Sequence, residues 1–106
     1  MITSNFERKD IQLEDILLKL KKHKEEICKN FSVKEIGVFG SYARGTATPE
    51  SDIDFFVVFD KKTLDNITGL WIYLEELFNK DIDLIHYHKR FRDSLKREIQ
   101  KDIVYG

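Results

Sequence analysis

The chain has 106 residues, enough for one domain with a single modest core. Its 18 lysines and arginines nearly cancel 19 aspartates and glutamates, leaving a formal charge of -1, which argues against broad electrostatic adhesion to a nucleic acid duplex or an acidic membrane. The single cysteine, Cys28, excludes an internal disulfide, no apolar run approaches the length of a bilayer span, and the opening MITSNFERKD is too polar for a secretory leader; the expectation is a soluble cytoplasmic protein.

Leu13, Ile16, Leu17, Leu20, Ile27 and Phe31 recur at helical spacing with Lys19, Lys22, Glu25 and Glu26 between them, which predicts an amphipathic helix over about residues 10–29. Its basic run KLKKHK reads as a solvated face. VKEIGVFG predicts a strand over residues 33–39, and the glycine-bounded SYARG has room for only a turn of helix. Gly37, Gly40 and Gly45, three of the five glycines, crowd this segment and mark a place where the backbone does something unusual. DIDFFVVF, residues 52–59, is apolar on both faces beyond its aspartates, as an interior strand is. Leu64, Ile67, Leu70, Trp71, Leu74, Leu77 and Phe78 form the wide stripe of a second long helix, with Asp60 or Thr63 as its cap. DIDLIHY, residues 81–87, predicts a third strand. Phe91, Leu95 and Ile99 share one face of a last helix over about residues 91–101, with Lys89, Arg90, Arg92, Lys96, Arg97 and Lys101 elsewhere. The order αβαβαβα predicts an α/β fold, a small three-stranded sheet covered by helices, and with no repeat, low-complexity tract or linker, residues 1–106 read as one domain.

Alternate residues of a strand share a face, so Asp52 and Asp54 direct both carboxylates one way from origins about 6–7 Å apart. That spread suits hard cations: Mg²⁺ takes a few carboxylates together with waters and substrate phosphates, and two such ions can clamp the attacking and leaving oxygens of a phosphoryl displacement. A third acid on a neighbouring strand would complete the site. Asp81 and Asp83 are the candidates, and Asp83, flanked by Ile82 and Leu84, better fits a polar position facing a pocket. The plainer reading has Ser51 and Asp52 capping a loop and Asp54 as an exposed strand residue. Against it, Asp54 directly precedes the apolar run FFVVF, where an unpaired buried carboxylate is costly.

Gly40 ends an apolar strand and Ser41 opens a short helix, an arrangement in which free backbone N–H groups attract an anion and the Ser41 hydroxyl can add a hydrogen bond. Arg44, one turn later, either contacts phosphate or braces the loop against Glu50. Gly45 reads as a backbone requirement. A Gly-Ser pair alone is an ordinary tight turn; its coincidence with paired acids and a further acid on the next strand is what points to chemistry.

FGSYARGTATPESDIDFFVVF resembles the signature of the DNA polymerase beta-like nucleotidyltransferase superfamily: Gly-Ser, ten residues, then Asp-x-Asp. The short chain, with Phe39, Ala43, Arg44, Gly45, Thr48, Pro49 and Ser51 in family-like places, is similar to the minimal nucleotidyltransferase (MNT) branch; Tyr42 stands where many relatives carry arginine. The resemblance implies that Gly40 and Ser41 hold the terminal phosphates of a nucleotide, that Asp52 and Asp54 bind two Mg²⁺ ions, and that Asp83 joins the ion nearer the attacking hydroxyl and helps deprotonate it. It further implies transfer of AMP from ATP to a hydroxyl, with release of pyrophosphate. Many members of the branch are encoded beside a HEPN ribonuclease and act as antitoxins that silence it by adding AMP to one of its tyrosines, which implies a HEPN toxin as partner. Two other readings stand beside this one: a binding module that neutralises its partner by docking, and transfer to a small molecule such as an aminoglycoside, which resembles a branch carrying an added helical domain.

Smaller features read plainly. His86 and His88 form a polar strand end rather than a zinc site, since no Cys or His cluster accompanies them. His23 reads as surface, Cys28 as a small buried residue, Trp71 as core, and the tail IVY at 103–105 as packing against the sheet.

Overall fold

The computed structural model describes residues 11–88 and 93–106. Asp10 and Phe91, the expected starts of the first and last helices, lie outside the described residues, as do Lys89, Arg90 and Arg92. Helix α1 spans Leu13–Phe31 and strand β1 spans Val33–Phe39; α2 is the short helix Gly40–Arg44, followed by β2, Ile53–Phe59. Helix α3 (Leu64–Phe78), β3 (Ile82–His86), α4 (Asp93–Asp102) and a two-residue β4 (Val104–Tyr105) complete the order. Of the two candidate caps, Thr63 opens α3, its hydroxyl accepting from the Asn66 N–H at 3.0 Å. Among the described residues no helix is long and apolar enough to cross a membrane.

The sheet is mixed, in the order β3-β2-β1-β4: β1 runs antiparallel to both β2 and β4, and β2 runs parallel to β3. Parallel neighbours need a crossover, which α3 supplies. The expectation of three strands is therefore short by one. Val104 and Tyr105 pair with Val38 and Gly37, and Gly106 donates to the Ile36 carbonyl at 3.0 Å, so the IVY tail packs in the sheet rather than merely on it. Two residues are too few to show an alternating pattern, and their extended form is imposed by the β1 backbone beside them.

Strand alternation divides the sheet into two faces. Ile53, Phe55 and Val57 of β2 point to one face, where they form a buried core with Ile16, Leu20 and Ile27 of α1 and Leu70, Leu74 and Phe78 of α3. Each such fully buried side chain contributes about 1.5–3 kcal/mol. Lys19 joins the two helices by donating to the Leu77 carbonyl at 3.0 Å, and the Phe31 and Tyr73 rings meet at 5.5 Å. The stripe read for α3 holds for Leu70, Leu74 and Phe78 and fails at Leu64, which is 78% exposed, whereas Trp71 packs partly buried against the core. His23 is half-buried rather than surface, its Nδ1 3.2 Å from the Tyr73 hydroxyl.

Asp54 and Phe56 point to the opposite face, which α4 crosses. Ile103 sits so close to Gly37 that a Cβ there would stand 2.9 Å from its Cγ1. At the other end of the helix Lys96 lies 5.1 Å over the Tyr87 ring. Phe56 and Ile99 are buried on this side, apart from the main core. The region of β2 around Asp54 is thus roofed by a helix, and a cleft forms beneath it.

Candidate active site

Strand β1 ends at Phe39, the register partner of Asp54, and the next residue turns the chain into α2. Gly40 makes that turn at φ +75°, in left-handed space that favours glycine. A Cβ at Gly40 would collide with the Asp54 carboxylate and lie 3.0 Å from its carboxyl carbon. The missing side chain is what lets the acid and the turn share one spot. Gly45 closes α2 at φ +79° with nothing within 4 Å of where its Cβ would be, so it meets a backbone requirement alone, as expected. The Ser41 carbonyl accepts from the Thr46 N–H at 2.9 Å, and the connector to β2 is stapled by Ser51 Oγ accepting from Thr48 N–H at 2.9 Å. Lys80, from the turn after α3, donates to the Pro49 carbonyl at 2.9 Å.

Asp54 and Asp83 are register partners on the parallel strands β2 and β3, and both line the cleft. Asp52 sits exposed just ahead of β2. Of the two acids weighed for the third position, register brings Asp83 to Asp54; Asp81 precedes β3 and lines a separate hollow with Glu75, Asn79 and Lys80. Burial pushes the Asp54 carboxyl above its ordinary value, the Asp83 and Asp52 charges push it further the same way, and Arg44 pulls it down. Asp52, Asp54 and Asp83 therefore act on one electrostatic locus. Among the described residues no three His, Cys, Asp or Glu side chains converge tightly enough to cage an ion unaided. A hard cation that keeps waters and shares substrate phosphates needs only one or two carboxylates from the protein, and these residues fit that mode.

The cleft has a volume of about 310 Å³ and lies between the acids, with Ile85 beside them, and the α4 face bearing Leu95, Glu98, Ile99 and Asp102. Those four positions follow helical i, i+3, i+4, i+7 spacing; Leu95 and Ile99 were read on one face, whereas Glu98 and Asp102 were missed, and they join the cleft only once α4 is laid over the sheet. Arg44 donates from Nη1 to Asp102 Oδ2 at 3.2 Å. Of the two partners weighed for Arg44, phosphate and Glu50, the protein partner is instead Asp102, because α4 returns the chain to α2 from 58 residues away. Tyr42 is only 5% exposed and belongs to the core, so it is a packing residue at this position. The His86 and His88 rings lie 6.0 Å apart, and burial holds His86 below the usual histidine range. Cys28 is half-buried against the core.

The profile of the family described as nucleotidyltransferase domain matches residues 20–105 of the chain. The chain belongs to this family. The nucleotidyltransferase is 36% identical over 96 residues to the protein adenylyltransferase MntA of Thermococcus cleftensis, an overlap of 90% of this chain and 96% of the relative. Likeness over nearly both whole lengths means that more than a shared motif is involved. In three dimensions it superposes on a structure described as a minimal nucleotidyltransferase with a TM-score of 0.69 at 26% identity, over 91% of this chain and 97% of the other. A chain from a toxin–antitoxin crystal structure with AMP-PNP matches at TM-score 0.62 and 26% identity, over 80% and 70% of the two chains. The α/β fold with its mixed sheet and the family expected from the Gly-Ser and Asp-x-Asp spacing are both borne out, and the protein is an enzyme of the nucleotidyltransferase class.

Proposed function

We propose that this nucleotidyltransferase moves AMP from ATP to a hydroxyl of a partner protein, a tyrosine of a HEPN toxin, and acts as the antitoxin by that modification. The observation that carries the reading is the pairing of Asp54 with Asp83 beneath the side-chain-free Gly40, which leaves an acid-lined space open at a strand end. The name of the Thermococcus cleftensis relative and the toxin–antitoxin structure with AMP-PNP support the nucleotide and the kind of partner.

In this reading Gly40 and Ser41 hold the β- and γ-phosphates, and Asp52, Asp54 and Asp83 are the ligands of two Mg²⁺ ions. Those ions, when bound, neutralise charge on the phosphates and make the acceptor hydroxyl easier to deprotonate. The acceptor oxygen forms a bond to the α-phosphorus as the bond from that phosphorus to the α–β bridging oxygen breaks. Pyrophosphate leaves with the electron pair, and Asp83 takes the hydroxyl proton. No covalent enzyme intermediate is required, because positioning and charge neutralisation carry most phosphoryl-type transfers.

The test is to incubate the purified chain with α-labelled nucleoside triphosphates, Mg²⁺ and the protein encoded beside it. Label from ATP on a tyrosine of that protein, lost on adding a chelator, is the expected result. Absence of label from every nucleotide would sink the enzymatic reading, and a D52A/D54A double variant that still silences the toxin would leave docking as the protective act.

A further inference from the structure

Among the described residues, four carboxylates, Asp54, Asp83, Glu98 and Asp102, line the cleft, against a single basic side chain, Arg44. A triphosphate entering among these acids meets a field of its own sign, so the placement of the Arg44 cation matters more than it would in a basic pocket. Arg44 is 52% exposed and projects from the end of α2, where a long side chain would otherwise sample many rotamers. It rests instead on Asp102 through a single Nη1–Oδ2 contact of 3.2 Å. A guanidinium carries five N–H donors, so a one-point contact fixes the side chain and leaves the other donors available.

Asp102 is at an unfavourable place for its own helix. It is the last residue of α4, where the helix dipole favours a cation and an acid opposes it. Its position is fixed from the C-terminal side by tertiary contacts: Ile103 packs on Gly37, which has no Cβ to obstruct it, and Val104 pairs with Val38. An acid that breaks a local rule at a rigidly held point beside a cleft marks a site at which function has set the residue.

We propose that Asp102 is a positioning residue for nucleotide binding, holding Arg44 across the cleft mouth so that its free N–H donors meet the triphosphate. The inference rests on the reading above that this cleft takes a nucleoside triphosphate. It makes α4 and β4, which supply no acid to the Asp52, Asp54, Asp83 set, part of the nucleotide site through Arg44.

The experiment is calorimetric titration of the purified chain with ATP and Mg²⁺, which needs no acceptor, alongside kcat and KM for labelling and a melting curve for each variant. Asp102→Ala should weaken ATP about five-fold, the scale of one partly exposed ion pair, with KM rising and kcat little changed. Arg44→Ala should weaken it about ten-fold or more. The double variant should bind no worse than Arg44→Ala alone, because Asp102 acts through Arg44, and Asp102→Glu should restore most of the affinity. Unchanged or tighter ATP binding in Asp102→Ala, or additive losses in the double variant, overturns the proposal. Should Asp102→Ala fail to fold, Asp102→Asn and Asp102→Glu give the same decision: Asn weaker than Glu supports the ion pair, and equal affinities overturn it. A wild-type chain that binds no ATP removes the nucleotide reading itself, a result distinct from a wild type that binds and an Asp102→Ala that binds equally.

Discussion

Asp54 and Asp83 face each other in register across two parallel strands, and the turn that ends β1 passes Asp54 at Gly40, whose missing Cβ makes the room. Acids brought together and partly removed from water destabilise the fold they sit in, and that cost is the signature of a site built for a ligand rather than for stability.

Asp54→Asn should therefore melt higher than the wild type at neutral pH while losing transfer. The carboxyl titrates above the ordinary aspartate value of 3.8 in the folded chain, so its contribution to stability is present below about pH 4 and is lost as pH rises through the raised value. The Asn advantage should be about 1 kcal/mol at pH 7, allowing for the solvent that still reaches the half-buried site, and should shrink toward zero near pH 4. Melting curves across that range decide it; a wild type more stable than the variant at pH 7 counts against the account.

The two left-handed glycines of α2 should separate. Gly45→Ala costs only the backbone strain, about 1 kcal/mol, and leaves transfer near wild type. Gly40→Ala adds a collision with Asp54 and should lower stability by about 1–3 kcal/mol and abolish transfer. Equal activities in the two variants would show that the space above Asp54 is not used.

Asp83→Asn should reduce labelling by at least about 100-fold with the fold intact, whereas Asp81→Asn should stay within about three-fold of wild type. The comparison reads the register directly, since only Asp83 stands opposite Asp54.

His86 offers a pH dependence of the opposite sign to that of Asp54. Among the described residues its Nδ1 is buried without a hydrogen-bond partner, and burial, with Lys62 and His88 nearby, holds its pKa below 6.5. The neutral form is the folded form, so its stability is complete above about pH 6.5 and is lost as pH falls through the lowered value. His86→Phe should be less sensitive to acid between about pH 7 and 5 in denaturant melts, and an unchanged pH profile would assign the acid sensitivity to other groups.

Thr63→Ala serves as a control on fold without chemistry. Losing the cap to the Asn66 N–H should cost about 1 kcal/mol in urea unfolding and leave transfer unaltered.

Much of the site was legible before any coordinates. The spacing of Ser41 to Asp52 and Asp54, the apolar run after Asp54, and the glycine cluster are local patterns, and the elements they imply formed where expected because helix and strand periodicities are read within a few residues. Asp83 was separable from Asp81 for the same reason: Ile82 and Leu84 on either side mark a strand interior. Arg44 was not. Its two weighed partners were phosphate and Glu50, and nothing in the neighbouring residues signals Asp102.

By itself the sequence determined the family, the order of elements up to α4, and which carboxylates are the candidates for the site, since those depend on residue type and short spacing. Only the tertiary structure decided that Asp83 meets Asp54 across a parallel pair, that Val104 and Tyr105 add a fourth strand, and that α4 roofs the acids and gives Arg44 its partner. Each of these is a contact between segments far apart in the chain, set by which faces can be buried together, and that competition is resolved only when the whole sheet and its helices are assembled.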